Sequence, residues 1–132
     1  METADPVRTL ADRLVELCGE GKNLEALESL YSEGIVSVEA MACEGDPSGM
    51  PRQMEGIEAV RGKTRWWLDN HEVHSAEVRG PFLHAPDRFA VFFNFDVTYK
   101  PQGQRCQMEE VGIYTVADGK VVKEEFFYNM PG

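Results

Sequence analysis

The sequence predicts an α+β fold in which N-terminal helices pack on a strongly curved antiparallel or mixed β-sheet, forming a cone-shaped α+β barrel with an internal pocket. Three observations lead to helices packed on one face of an antiparallel sheet; a sheet that curls would close the cone and its pocket. Residues 88–100, 106–116 and 120–128 are aromatic and β-branched runs broken by Pro101-Gln102-Gly103 and Asp118-Gly119, the pattern of a three-strand antiparallel meander. Upstream, apolar residues recur at helical spacing in three separate stretches. The order is helix, helix, strand, helix, then four strands, so helices gather early and the sheet late.

The elements follow in turn. Asp5-Pro6 opens the first helix with a capping carboxylate and a proline at the first helical position, and Val7, Leu10, Ala11, Leu14, Leu17 and Cys18 form its apolar stripe. Gly19 and Gly21 end it. Asn23 is expected to cap a second helix carrying Leu24, Leu27, Leu30 and Tyr31 inward, closed by Gly34. Residues 35–41, rich in β-branched side chains, read as a strand. Residues 43–56 hold two prolines and three glycines and read as an irregular loop. The third helix spans 57–70, with Ile57, Val60, Thr64, Trp67, Leu68 and His71 on one side and Trp66 on a neighbouring flank. A strand over 73–82, stopped at Gly80-Pro81 or shortly after, leads into the meander.

Side chains alternate along strands, so turn geometry decides which residues face the helices. A tight turn over Gln102-Gly103 pairs Tyr99 with Cys106, Val97 with Met108 and Phe95 with Glu110. A three-residue turn at Ala117-Asp118-Gly119 pairs Tyr114 with Val122, Gly112 with Glu124 and Glu110 with Phe126. The inner face then carries Val91, Phe93, Phe95, Val97, Tyr99, Met108, Glu110, Tyr114, Val122, Glu124, Phe126 and Tyr128. A one-residue change in the second turn exchanges Glu124 for Glu125, because a register slip flips every side chain. The outer face is polar (Asn94, Asp96, Thr98, Gln107, Glu109, Lys123) but studded with Phe92, Val111 and Ile113, as a wet contact surface would be.

The chain has 132 residues, the size of one domain (residues 1–132), and should bury about two-thirds of its unfolded surface. Its 23 acidic against 13 basic side chains give a net charge of −10, which repels nucleic acid and anionic membranes. No apolar run approaches the ~18 residues of a membrane span, and no signal-peptide pattern opens the sequence. Cys18, Cys43 and Cys106 are odd in number and widely spaced, read as buried or half-buried free thiols in a reducing cytoplasm. His71 and His74 straddle a helix end without metal-ligand spacing, so neither metal nor any other cofactor is expected. Phosphate loops and nucleophile elbows are lacking as motifs.

Three stretches carry a family resemblance: LESLYSEGIVSVEA (27–40), GIEAVRGKTRWWLDNH (56–71) and YTVADGKVVKEEFFY (114–128). With these the chain resembles the SnoaL-like and ketosteroid-isomerase-like proteins of the nuclear-transport-factor-2-like superfamily. The resemblance implies a cone fold with a pocket for a hydrophobic small molecule, and a homodimer through the outer sheet face. Activity is not implied by fold alone, since this fold hosts isomerases, cyclases, epoxide hydrolases, dehydratases and binding modules. The isomerases' general base falls at Glu39. Their oxyanion tyrosine falls at Leu14 or Val15, and their oxyanion acid at Val111 or Gly112, none of which can donate a side-chain hydrogen bond. Steroid isomerisation by that mechanism is not expected.

The catalytic candidates are therefore Glu39, Glu110, Glu124 and Tyr114. Burial and mutual repulsion would raise the proton affinity of one or more of the acids, letting it exchange protons near neutral pH. The plain alternative is that the acids sit at strand ends in water, or pair with Arg61, Arg65 or Arg79. Tyr31, Trp67, Phe93, Phe95, Met108, Phe126 and Tyr128 are expected to line the ligand site, the alternative being that they are core. Two functions follow. One is proton transfer, cyclisation or water addition on a hydrophobic carbonyl compound, with Glu39 as base, Glu110 or Glu124 as partner acid and Tyr114 or Tyr128 as hydrogen-bond donor; the other is a non-catalytic ligand-binding or dimeric interaction module.

Overall fold

The computed structural model describes residues 6–40 and 51–128. Helix α1 (Pro6–Gly19) buries Leu10, Ala11, Leu14, Leu17 and Cys18, the stripe its spacing dictates. It ends in two bonds, Lys22 N–H to the Leu17 carbonyl at 2.8 Å and Gly21 N–H to the Cys18 carbonyl at 3.1 Å. Gly21, at φ 76°, supplies the left-handed residue that this six-to-one, five-to-two closure requires. The expected cap at Asp5 lies outside the described residues.

Helix α2 (Asn23–Leu30) buries Ala26 and Leu27. Its cap position is Lys22, and no side chain caps it. Asn23 is already helical, and its amide reaches the Cys18 sulfur at 3.9 Å, so the expected asparagine cap is corrected. Strand β1 (Tyr31–Val38) begins at the very next residue, four positions earlier than the β-branched run indicates. Gly34 does not close the helix but sits within this strand, where the pairing shifts between Tyr31 and Val36. Positions 41 and 43–50 lie outside the described residues. The expected irregular loop contains a short strand, β2 (Gln53–Glu55), paired antiparallel with residues 36–38. Helix α3 (Ile57–Asn70) has its expected bounds and seats Val60 in the core.

Strand β3 (His71–His84) continues through Gly80-Pro81, with a second irregularity between Arg79 and Phe82. The Gly-Pro punctuation bends the strand without ending it, as bulges on an edge strand do. Strands β4 (Arg88–Tyr99), β5 (Gln104–Ala117) and β6 (Lys120–Phe127) form the meander. The six strands make one sheet in the order β2-β1-β6-β5-β4-β3. It is mixed, because β1 runs parallel to β6 and every other pair is antiparallel.

Both meander turns differ from expectation. Between β4 and β5 a short 3-10 turn, Lys100–Gln102, plus Gly103 at φ 61° makes a four-residue connection, pairing Tyr99 with Gln104 and Phe95 with Met108. Between β5 and β6 the turn has two residues, Asp118 (φ 53°) and Gly119 (φ 74°), the positive angles favoured in tight hairpins. A bulge between Thr115 and Val116 then places Tyr114 opposite Glu124 and Gly112 opposite Phe126. Each pairing differs from the expected one by two residues. Even slips preserve the face, so Phe93, Phe95, Met108, Glu110, Tyr114, Glu124 and Phe126 keep their inward side. The bulge does correct one position: Val121, not Val122, is fully buried. Phe89 joins the core unpredicted, stacked on Tyr114 at 5.0 Å between centroids. Cys106 is exposed, against the expectation of a shielded thiol.

Candidate functional site

One buried acid anchors the inner face. Glu124 is 4 % exposed and accepts two hydrogen bonds, from the Tyr31 hydroxyl on one oxygen and from Ser37 Oγ at 2.8 Å on the other. Tyr31 is the first residue of β1 and Ser37 lies further along it, both beside the parallel β6. Lys63 of α3 extends the chain, donating to Ser37 Oγ at 2.8 Å and forming an ion pair with Glu39. Its ammonium also sits 5.1 Å from the Phe126 ring centroid, a cation–π contact. Burial raises the Glu124 carboxyl above its ordinary range, while Lys63, Tyr31 and Ser37 oppose the rise. Burial, then the charge of Glu124, likewise holds the Tyr31 hydroxyl in its protonated form. Cys18 beneath them is pushed up to about 12 by burial and by Glu124, so it remains a thiol.

Glu110 is different. It is half-buried and faces Phe93 across the β4–β5 ladder. Among the described residues its carboxylate accepts no hydrogen bond. Burial, and then the charge of Glu39, push it up to about 7, with Lys63 opposing and Glu124 adding to the rise. Two positions along the same face is Gly112, and two beyond that is Tyr114. The Tyr114 ring lies back across Gly112, so that a Cβ there would meet Cε2 at 2.9 Å and the hydroxyl oxygen at 3.0 Å. The hydroxyl thus extends from position 114 toward the Glu110 side of the strand. It makes no hydrogen bond to a described residue, and no buried side-chain nitrogen or oxygen among those residues is left unpartnered. The Glu110 side chain is part-exposed, whereas Tyr114 is only 2 % exposed, and burial, then the charge of Glu124, holds its hydroxyl in the protonated form.

Gly112 is small for this reason. Gly112→Ala is expected to drive Tyr114 off its stack with Phe89 and its edge contact with Phe126, destabilising the fold by about 1–3 kcal/mol. A denaturant midpoint unchanged within error would refute that reading.

The remaining lining candidates fall in two groups. Phe93, Phe95, Trp67, Met108 and Phe126 join the apolar cluster on the inner face, with Trp67 tilted against Phe95 at 5.6 Å and stacked on His71 at 4.4 Å. Tyr128 lies at the rim, in a cleft of about 190 Å³ that includes Glu39, Arg52 and Phe126. Tyr31, expected on the lining, lies at the site as a donor to Glu124. Sequence reasoning missed two participants, Ser37 and Lys63. Ser37 lies just past a bulge that no periodicity announces. Lys63 was legible, three residues after Val60 and four before Trp67 on the apolar side of α3. Arg61, one of the expected partners for the acids, instead pairs on the surface with Glu28 and Glu58, and Arg79 pairs with Glu77.

Three helices over one face of a curved mixed sheet, enclosing acids on an apolar wall, define the cone-shaped α+β class. The comparisons make this specific: the SnoaL-like domain matches residues 6–128, and the chain belongs to that family. Among solved structures it is similar to a protein of Mesorhizobium loti provisionally assigned as a SnoaL-like polyketide cyclase. That likeness has 43% identity, covers 92% of this chain and 98% of the other, and has a TM-score of 0.82. A Δ5-3-ketosteroid isomerase from Mycobacterium sp. shares the fold at 18% identity, 96% and 95% coverage and a TM-score of 0.68. A provisionally assigned SnoaL-like polyketide cyclase from Jannaschia sp. does so at 15% identity, 98% and 92% coverage and a TM-score of 0.71. No curated protein matches the chain. No described helix is long and apolar enough to cross a membrane.

Proposed function

We propose that this chain is an acid–base enzyme acting on a hydrophobic carbonyl compound, with Glu110 as the proton-transfer group and Tyr114 as the donor to the carbonyl oxygen. The observation that carries this is the pairing across Gly112: a carboxylate without hydrogen-bond partners among the described residues and a tyrosine hydroxyl laid back over Gly112 on the same strand face. A carboxylate with a pKa of about 7 both accepts and returns protons at neutral pH. It would take a proton from the carbon next to the carbonyl while Tyr114 O–H meets the charge developing on oxygen. Returning that proton elsewhere gives isomerisation; attack of the carbanion on a second carbonyl gives cyclisation. Glu39, held by Lys63, sets the local field, and Glu124 fixes Tyr31 and Ser37. Trp67, Phe93, Phe95, Met108 and Phe126 supply the apolar wall.

The test is solvent proton exchange. A panel of cyclic and aromatic ketones in heavy water, followed by proton NMR, should show deuterium entering next to the carbonyl of at least one member. The rate should rise through about pH 7 and should fall when Glu110 is changed to Gln. Exchange indifferent to Glu110 would remove this assignment.

A second reading, a non-catalytic binding module, is favoured by a specific observation: Glu39 and Glu124 both have internal partners, as structural acids do. A homodimer through the outer sheet face fits either reading. Phe82 and Phe127 are 58% and 56% exposed there, around a cleft with Ala90 and Ile113. Sedimentation should report a dimer for the native chain and a monomer for Phe127→Asp; a native monomer would exclude it.

A further inference from the structure

The rim cleft carries a cation that the proposed chemistry does not use. Arg52, just before β2, is fastened to Glu39 twice: its carbonyl accepts the Glu39 N–H at 2.7 Å, and its Nε donates to the Glu39 carbonyl at 3.1 Å. The Nε bond uses one edge of the guanidinium and leaves the terminal nitrogens without a partner among the described residues. Both acids that share the cleft are matched elsewhere, Glu39 by Lys63 and Glu125 by Lys123 at 3.7 Å. In a chain of net charge −10, this leaves a positive group at the edge of an apolar wall that no acid among the described residues neutralises. Phe126 lines the cleft and packs on the inner-face cluster, and the charge of Glu39, also in the cleft, is felt at Glu110, so the two regions adjoin.

We infer that the cleft is a subsite for a carboxylate, and that the ligand is an apolar carbonyl compound bearing a carboxylic acid, with Arg52 as its specificity-determining residue. This deepens the proposed function and rests on it for the reacting end of the ligand. A guanidinium already held at Nε loses little freedom on binding, and its planar nitrogens match a carboxylate in two-point contact. Tyr128 lines the same cleft and places a ring against the ligand's apolar body. The volume of about 190 Å³ takes the acid and the ring next to it, with the rest of the molecule passing over Phe126 toward Glu110.

The experiment compares 2-naphthoate with its methyl ester, equal in ring shape and different in charge, by calorimetry at pH 7 with the native chain, Arg52→Gln and Arg52→Lys. The native chain should bind the acid at least tenfold more tightly than the ester. Arg52→Gln should erase the preference, and Arg52→Lys should keep part of it, with unchanged melting temperatures showing that the variants fold. Equal binding of acid and ester, a preference that survives in Arg52→Gln, or no binding of either probe would overturn the subsite. This readout is selectivity, not turnover. An acid preference dependent on Arg52, alongside proton exchange indifferent to Glu110, would retain the subsite and discard the catalytic reading. The reverse pair of results would do the opposite.

Discussion

Glu110→Gln is expected to lower carbonyl-adjacent proton exchange by about 10²–10⁴-fold, the range a positioned acid–base group contributes, while leaving ligand affinity within a few-fold. The amide keeps the shape and polarity of the carboxyl but cannot take a proton, so binding and chemistry separate. The same variant should also change the pH dependence of stability. The folded chain retains the Glu110 proton up to about pH 7, while an ordinary glutamate releases it near 4.5. Between those values the folded state binds more protons than the unfolded state. Stability contributed by the neutral acid is thus complete below about 4.5 and is lost as pH rises through about 7. Glutamine never ionises, so the variant should exceed the native chain above pH 7 by on the order of 1–3 kcal/mol and match it near pH 4. Melting curves at pH 4, 6 and 8 measure this. A native chain that gains on the variant as pH rises would show Glu110 to be paired rather than strained by its surroundings.

Lys63→Met should have the next largest effect, and in a different direction. Lys63 and Glu39 have side chains 17% and 20% exposed, between the surface case, worth about 0–1 kcal/mol, and the buried case, where breaking one partner costs about 3–5 kcal/mol. A loss of about 1–3 kcal/mol is expected. Methionine fills much of the same volume, so the loss reports charge rather than a cavity. Because Lys63 lowers the proton affinity of both Glu110 and Glu124, its removal should raise the Glu110 midpoint by about one unit. A carboxyl NMR titration gives that midpoint directly. At pH 7 the variant would then hold Glu110 largely as the acid, and exchange should need a higher pH. A midpoint that stays put would mean that water at the mouth screens Lys63 from Glu110.

How much of this the sequence reveals depends on the range of the cause. Helices α1 and α3 are legible because their apolar stripes are local and periodic. Glu110, Glu124 and Tyr114 are legible as inward because alternation survives any even error in register, and both turn errors were even. The cross-strand partners are not legible. The four-residue turn closed by Gly103 and the bulge beside Val116 are chosen by whole-sheet packing, not by their own residues. Strand β1 starts early for a similar reason: Tyr31 is drawn into extended backbone by its neighbour strand and by Glu124, which lies 93 residues away in sequence. Lys63 shows the other kind of miss, a charge on an apolar stripe whose partner only the fold supplies.

The seam between α2 and β1 has a mechanical consequence. Leu30 is the last helical residue and Tyr31 the first extended one, so no linker absorbs motion between them. At the same helix end, Lys120 Nζ reaches back from β6 to the Ser29 carbonyl at 2.9 Å. Helix α2 is thus a stiff lever tied at its tip to β6, the strand that holds Glu124. The compliance lies just downstream, where β1 departs from regular pairing between Tyr31 and Val36 around exposed Gly34. One glycine inserted after Leu30 should lower the melting temperature several degrees more than the same glycine inserted after Gly34, roughly 1–2 kcal/mol apart for a domain of this size. A ligand that shifts Glu124 would be felt along α2 at the far side of the molecule, whereas one that presses on Gly34 would be absorbed where it lands.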